Sequence, residues 1–182
     1  MAQFSFHRGS PALDFIGTVG RRASSCEERL PDARSLGIWL REAGLADTLP
    51  RVSADELNDA KALREAMARV ALALLDGGTP AASDIRQINA AARWSATLVP
   101  MLEARTLSAG WRGTERVRAA LGRVAVDAID LFAHRRERLM RCELAGCGGL
   151  LLSNPRGPRR RWCSMEACGN AAKVAAFRAR RG

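Results

Sequence analysis

The chain has 182 residues, 47% of them hydrophobic, and a formal net charge of +10. That apolar content excludes a disordered chain and predicts a packed core, while no apolar run reaches the length of a membrane span. The opening MAQFSFHRGS lacks the charged-then-apolar order of a signal segment, so a cytoplasmic protein without membrane attachment is expected.

The first 134 residues read mainly as helices. Pro31-Asp32 starts a short helix through Ser35–Ala43, with Leu36, Trp39 and Leu40 on one face and Gly44 as its stop. Ser53-Ala54-Asp55-Glu56 is a capping box, in which the serine hydroxyl and the glutamate satisfy backbone N–H groups at a helix start. Behind it Leu57, Ala60, Leu63, Met67, Val70 and Leu74 recur every three or four residues, the period of a helix with one buried face. Asp76-Gly77-Gly78-Thr79-Pro80 ends that helix. Ser83 is the expected cap of another, carrying Ile85, Ile88 and Ala92.

From Thr97 to Gly113 the helical period is lost. Leu98, Val99 and Met101, then Thr106 and Leu107, predict a short β-hairpin ending near Gly110-Trp111. A long helix is expected from Thr114 to about Met140, with Val117, Leu121, Val124, Ala128, Leu131 and Phe132 on its buried stripe. It would be about 40 Å long and run as a rigid link into the C-terminal part.

Charge changes abruptly there. Residues 1–134 hold 17 Lys/Arg against 16 Asp/Glu, whereas residues 135–182 hold 12 against 3, so the excess is +1 and then +9. Such asymmetry points to a polyanionic partner, most simply nucleic acid, with a solvated arginine-rich tail as the alternative.

The same basic segment holds four of the five cysteines. Cys142, Cys147, Cys163 and Cys168 form two C-x4-C pairs with fifteen residues between them. Two close pairs and a short connector supply the four thiolates of a tetrahedral Zn²⁺, with no open coordination position, so the metal would be structural. Two disulfides or four unrelated thiols are the competing readings, and a reducing compartment weighs against disulfides. Gly146, Gly148 and Gly149 suit a metal knuckle because they permit positive φ. Leu150–Leu152 is expected as a strand, Ser153-Asn154-Pro155-Arg156-Gly157-Pro158 as a turn and Arg159–Trp162 as the returning strand. Ser164 would cap a helix carrying Cys168, with Val174 and Phe177 inward and Lys173, Arg178, Arg180 and Arg181 exposed. Knuckle, hairpin and helix in that order read as a treble clef.

The run Arg161-Trp162-Cys163-Ser164-Met165-Glu166-Ala167-Cys168-Gly169-Asn170, followed by Lys173, resembles the CGNR zinc finger, with Ala171 where the family has arginine. Ala12-Leu13-Asp14-Phe15-Ile16-Gly17-Thr18 and Trp39-Leu40-Arg41-Glu42-Ala43-Gly44-Leu45 resemble the ABATE domain found ahead of that finger, with Gly17 where it has asparagine. The resemblance implies a bacterial, stress-induced transcription regulator with a DNA-binding treble clef and an N-terminal domain that binds a ligand.

The expected fold is therefore α+β and mostly helical: a helical domain over 1–138 with a small β-hairpin, then a treble-clef finger over 139–182. Phosphate contacts are expected from Arg156, Arg159, Arg160, Arg161, Lys173, Arg178, Arg180 and Arg181. Asn170 has the amide geometry to read adenine, although a structural cap beside the metal is the competing role. Asp14, Arg21 and Arg22 are candidates for the ligand site, against a salt bridge or cap. Trp162 is expected to pack on the knuckle, with base stacking as the alternative. The partners expected are double-stranded DNA, a small-molecule ligand and a second copy of the chain. A protein-interaction module and an RNA-binding protein are the alternatives. No phosphate loop, serine elbow or paired-carboxylate motif points to an enzyme.

Overall fold

The computed structural model describes residues 4–180 except 98, 103, 108, 113, 114, 155, 156 and 158, with the backbone alone at 97, 99–101 and 109–112. In chain order it has α1 (Pro11–Ile16), β1 (Val19–Gly20), β2 (Glu27–Glu28), α2 (Ala33–Glu42), α3 (Ala54–Leu75) and α4 (Ala82–Ala92). After a 3-10 turn at Arg93–Thr97 come β3 (Val99–Leu102), β4 (Ala109–Arg112) and α5 (Arg116–His134). A second 3-10 turn, Arg136–Arg138, leads to β5 (Leu139–Arg141) and β6 (Leu150–Leu152); a π-turn, Met165–Gly169, opens α6 (Asn170–Ala179). The fold is α+β and mostly helical, as expected.

Local signals hold where they were strongest. Ser53 Oγ accepts from Glu56 N–H and the Glu56 carboxylate accepts from Ser53 N–H, closing the capping box of α3. Ala60, Leu63, Met67 and Val70 are buried along that helix, as are Val117, Leu121, Val124, Ala128 and Leu131 along α5. Asp32 caps α2 through Ser35 N–H, and Trp39 packs its ring 4.7 Å from that of Phe15 in the centre of the core. The hairpin forms as β3 against β4, with Val99 facing Arg112 and Leu102 facing Ala109. Thr106 and Leu107 lie in its connection, and Leu98 is outside the described residues.

Three expectations are corrected and one helix is added. Ser83 does not cap α4, which starts two residues earlier than that cap implies, behind Ala81 and with no side-chain cap. Helix α1 was not expected. Its first-turn amide at Ala12 is capped from across the fold by Asp127 of α5 at 2.9 Å, with Asp127 also accepting from the Ser10 hydroxyl. Helix α5 ends at His134 and not near Met140, because Leu139–Arg141 is recruited as a strand. That strand, not Arg159–Trp162, pairs with Leu150–Leu152, in the register Leu139 to Leu152 and Arg141 to Leu150. The segment 159–162 forms no strand, although Glu143 N–H donates to the Arg161 carbonyl at 2.9 Å.

The pleat of β6 then divides two cores. Leu150 and Leu152, with Leu139, join the helical core, whereas Leu151 points the other way into a cluster of the four cysteines, with Met140, Leu144 and Trp162 packed on it. Successive strand residues face opposite sides, so a three-residue strand serves both. The C-terminal element is docked on the helical body through its own hairpin.

Candidate metal centre and basic surface

The first pair of cysteines sits in the connection of the β5–β6 hairpin. Cys142 N–H donates to the Gly149 carbonyl at 2.7 Å and Cys147 N–H to the Leu144 carbonyl at 3.1 Å, which curls the chain into a knuckle. Gly146 and Gly148 take φ of +74° and +61°, values that a side chain disfavours. Gly149 does not share them; it is small because a Cβ there would lie 3.0 Å from Cys163 Sγ and 3.2 Å from Cys147 Sγ. The second pair is set by the start of the last helix. Ser164 Oγ accepts from Ala167 N–H as expected, and the π-turn swings Cys168 back toward Cys163.

All four cysteines are free thiols, buried, with their sulfurs within 4.8 Å of one another. Cys147 to Cys163, Cys147 to Cys168 and Cys163 to Cys168 are 3.7, 3.5 and 3.6 Å apart between sulfurs. A tetrahedron of Zn–S bonds of about 2.3 Å has sulfur edges of about 3.8 Å. These separations fit it and are far longer than a disulfide bond of about 2 Å. Cys163 N–H donates to Cys142 Sγ at 3.5 Å, the kind of backbone support a thiolate ligand takes.

The thiols cannot ionise together without a cation. Hydrogen bonds from Cys142 and Cys147 hold the Cys163 thiol well below its ordinary value. Contacts with Cys142 and Cys163, together with burial, push Cys147 up, and burial beside the Cys163 charge pushes Cys168 up to about 12. A divalent metal relieves that conflict by binding the thiolates as they form and offsetting half of their charge. The donor set is that of one structural zinc, with no position left for substrate.

The helical body reaches this centre by two routes that sequence reading missed. In the loop between β1 and β2, Ser24 Oγ donates to the Gly146 carbonyl at 2.8 Å, and a Cβ on Gly148 would meet Ala23 N at 2.6 Å. That loop is held by a chain of ion pairs. Arg22 pairs with Glu65 at 2.6 Å, Glu65 with the buried Arg64 at 2.8 Å, and Arg64 forks onto both oxygens of Glu28. Burial raises the pKa of Glu28 and of Glu65, but the guanidinium hydrogen bonds outweigh it and both stay below the usual carboxylate value. The second route is Arg8, 6% exposed, whose carbonyl accepts from Leu152 N–H at 2.8 Å and whose Nη1 donates to the Leu150 carbonyl at 3.2 Å. The sequence signals for these routes were the glycines of the knuckle, Gly17 and the salt-bridge alternative for Arg22.

The three candidate ligand residues do not converge on one cavity. Asp14 is buried, accepts from Arg8 N–H at 2.9 Å, and has its pKa raised to about 6 by burial. Arg22 serves Glu65, and Arg21 pairs with Glu27 at 3.0 Å on the surface. An open apolar cavity of about 330 Å³ lies elsewhere, lined by side chains of α3, α4 and α5, Ile88 and Phe132 among them, with Asn89 and Arg136 at its edge.

Of the candidate DNA contacts, Arg156 and Arg181 lie outside the described residues. Arg159, Lys173, Arg178 and Arg180 are exposed and Arg160 half-buried. Arg161 is engaged: it pairs with Glu143 at 2.5 Å and stacks 5.0 Å from the centre of the Trp162 ring. Trp162 itself packs on the cysteine cluster, as expected. Asn170 is exposed at the first residue of α6 and makes no side-chain hydrogen bond among the described residues. One expectation fails on this helix. Val174 and Phe177 are 49% and 51% exposed, on a helix that has no buried residue among those described.

Among known families, residues 9–135 match ABATE, described as "Putative stress-induced transcription regulator", and residues 138–181 match the CGNR zinc finger. The chain belongs to the ABATE family. Its junction with the CGNR finger falls in the 3-10 turn before β5, so the finger contributes the whole β5–β6 hairpin. The four cysteines of the metal centre all lie within the CGNR match. No curated protein matches the chain.

Proposed function

We propose that the chain is a DNA-binding transcription regulator in which the zinc-held element, 139–182, carries the DNA contact and the helical part, 1–138, senses a small molecule. The observation that carries this reading is the placement of charge around the metal centre. Arg159, Arg160, Lys173, Arg178 and Arg180 belong to the zinc-held segment and make no ion pair among the described residues. Unpaired guanidinium and ammonium groups on a metal-braced scaffold suit phosphate oxygens, and they supply affinity more than sequence choice. Asn170, exposed at the start of α6, is the candidate for base reading. The family description supports regulation. The reading is of a binding protein in the cytoplasm, not of an enzyme. No helix among the described residues is long and apolar enough to cross a membrane.

For the sensing role the support is the apolar cavity between α3, α4 and α5, whose lining includes Arg136 in the turn just before β5. A ligand there would touch the element that leads into the finger. Asp14, Arg21 and Arg22 are used by the fold itself.

Titration of zinc-loaded protein with random-sequence duplex at several salt concentrations tests the DNA reading. Four to six phosphate contacts give a slope of log K against log salt of about −4 to −5. Replacing Arg159, Arg160 and Arg161 together by alanine should flatten it by about two, since Arg161 already pairs with Glu143, and weaken all sequences alike. Undetectable duplex binding at low salt, or unchanged binding by the triple variant, overturns the reading. The exposed Met165, Val174 and Phe177 would then favour the protein-interaction alternative.

A further inference from the structure

A zinc ion held by four thiolates carries a net charge of −2, and enclosing that charge in a protein needs an offset nearby. Part of it comes from backbone N–H groups, such as Cys163 N–H on Cys142 Sγ. One full positive charge stands behind the same cluster. The ideal Cβ position of Gly149 lies 2.9 Å from Arg8 Nη1, 3.0 Å from Cys163 Sγ and 3.2 Å from Cys147 Sγ. The guanidinium is therefore within about 6 Å of both sulfurs, a range at which charges in a protein interior interact strongly.

Among the described residues the Arg8 guanidinium forms no ion pair with a carboxylate, although the buried Asp14 carboxylate lies near enough to feel its charge. Its Nη1 uses a carbonyl, Leu150, its Nε is buried with no hydrogen-bond partner, and Asp14 is engaged by its backbone N–H. Two glycines make its path. Gly149 leaves the sulfur side open. Gly17 has φ of −69°, which any residue adopts, so its backbone does not call for glycine. A Cβ there would lie 2.1 Å from Arg8 Nε and 2.7 Å from Cζ, so the missing side chain is the space the guanidinium occupies. An asparagine, the residue the ABATE resemblance expects at this position, would displace it.

We propose that Arg8 is a positioning residue of the zinc centre: a counter-charge carried from the helical body, through the gap left by Gly17 and Gly149, to the tetrathiolate. Zinc occupancy is thereby coupled to the N-terminal segment. The metal holds Arg8 in place, and Arg8 in turn holds the strand edge of β6 through the Leu150 carbonyl and its own carbonyl.

The test is cobalt(II) titration of reduced, metal-free protein, with zinc competition, for the parent, Arg8→Met, Arg8→Lys and Gly17→Ala. Methionine keeps the apolar stem without the charge, and lysine keeps the charge without the fork. Arg8→Met should bind zinc about 10- to 100-fold more weakly, as expected for loss of a group supporting metal ligands. Its sulfur-to-cobalt charge-transfer band should shift, and Arg8→Lys should recover most of both. Gly17→Ala should reproduce the loss with Arg8 present, which keeps the test decisive if Arg8→Met does not fold. The proposal is overturned if Arg8→Met binds zinc within about twofold of the parent with its band unmoved. Equal losses in Arg8→Met and Arg8→Lys, or a Gly17→Ala variant identical to the parent, would overturn it too. A parent that binds neither metal would sink the zinc site itself, a different failure.

Discussion

Leu150 and Leu151 are adjacent, identical in type and 1% and 0% exposed, yet they belong to different cores. Truncating either to alanine removes about 2–5 kcal/mol of packing, from lost transfer energy and the cavity left behind. The location of the loss should differ. Leu150→Ala takes it from the helical body, and for a chain of this size that lowers the main thermal transition by roughly 4–20 °C. Leu151→Ala takes it from the cluster that encloses the metal, where folding and metal binding share one free energy. The same loss there weakens zinc binding by between about thirtyfold and several thousandfold. Competition against a chromogenic chelator reads the second effect, and melting of zinc-saturated protein reads the first. Leu150→Ala should melt low while keeping its zinc, and Leu151→Ala should release zinc readily. If both variants shift both readouts to the same extent, the division of β6 between two cores is wrong.

Elemental analysis of protein purified without added metal should find one zinc per chain. Cys163→Ser should lose it and, because Leu139, Leu150 and Leu152 belong to the helical core, should also lower the main thermal transition. Gly148→Ala should destabilise by more than about 1 kcal/mol, since it combines a positive φ with a methyl 2.6 Å from Ala23 N; an unchanged melting temperature would contradict the docking of that loop. Asp14 has a folded pKa raised by burial from 3.8 to about 6, so the folded state holds its proton longer than the unfolded state does. Its contribution is present below pH 4 and is lost as pH rises through 6, so Asp14→Asn should remove a stability decline over that window, measured by denaturant melts from pH 4 to 7. Asp76→Ala should leave stability nearly unchanged despite its forked pair with Arg141, because both partners are exposed to solvent; a clear loss in the same melts would show that the pair holds β5 to the end of α3.

What could be read from the chain alone was whatever contiguous residues decide. The capping box at Ser53 and Glu56, the stripe from Ala60 to Val70, the β3–β4 hairpin and the Ser164 cap each depend on neighbours a few positions apart. The metal ligands were legible for a related reason: cysteine spacing limits which four sulfurs can meet around one ion. Choices between distant partners were not legible. Leu139 and Met140 fit a continued helix by period, and only the packing of Leu139 and Leu152 into the helical core makes them a strand. Asp127 caps α1 from over a hundred residues away, and the only local sign of that six-residue helix was Ser10-Pro11 at its start, too little to separate it from a turn. Val174 and Phe177 have the spacing of a buried face, yet about half of each side chain stays exposed on α6. Arg8 lay outside every motif; its place beside the sulfurs follows from two glycines, Gly17 and Gly149, 132 residues apart in the chain and brought together only by the fold. Periodicity states that a face is apolar, but which surface covers it, or whether any does, is settled by the packing of remote elements.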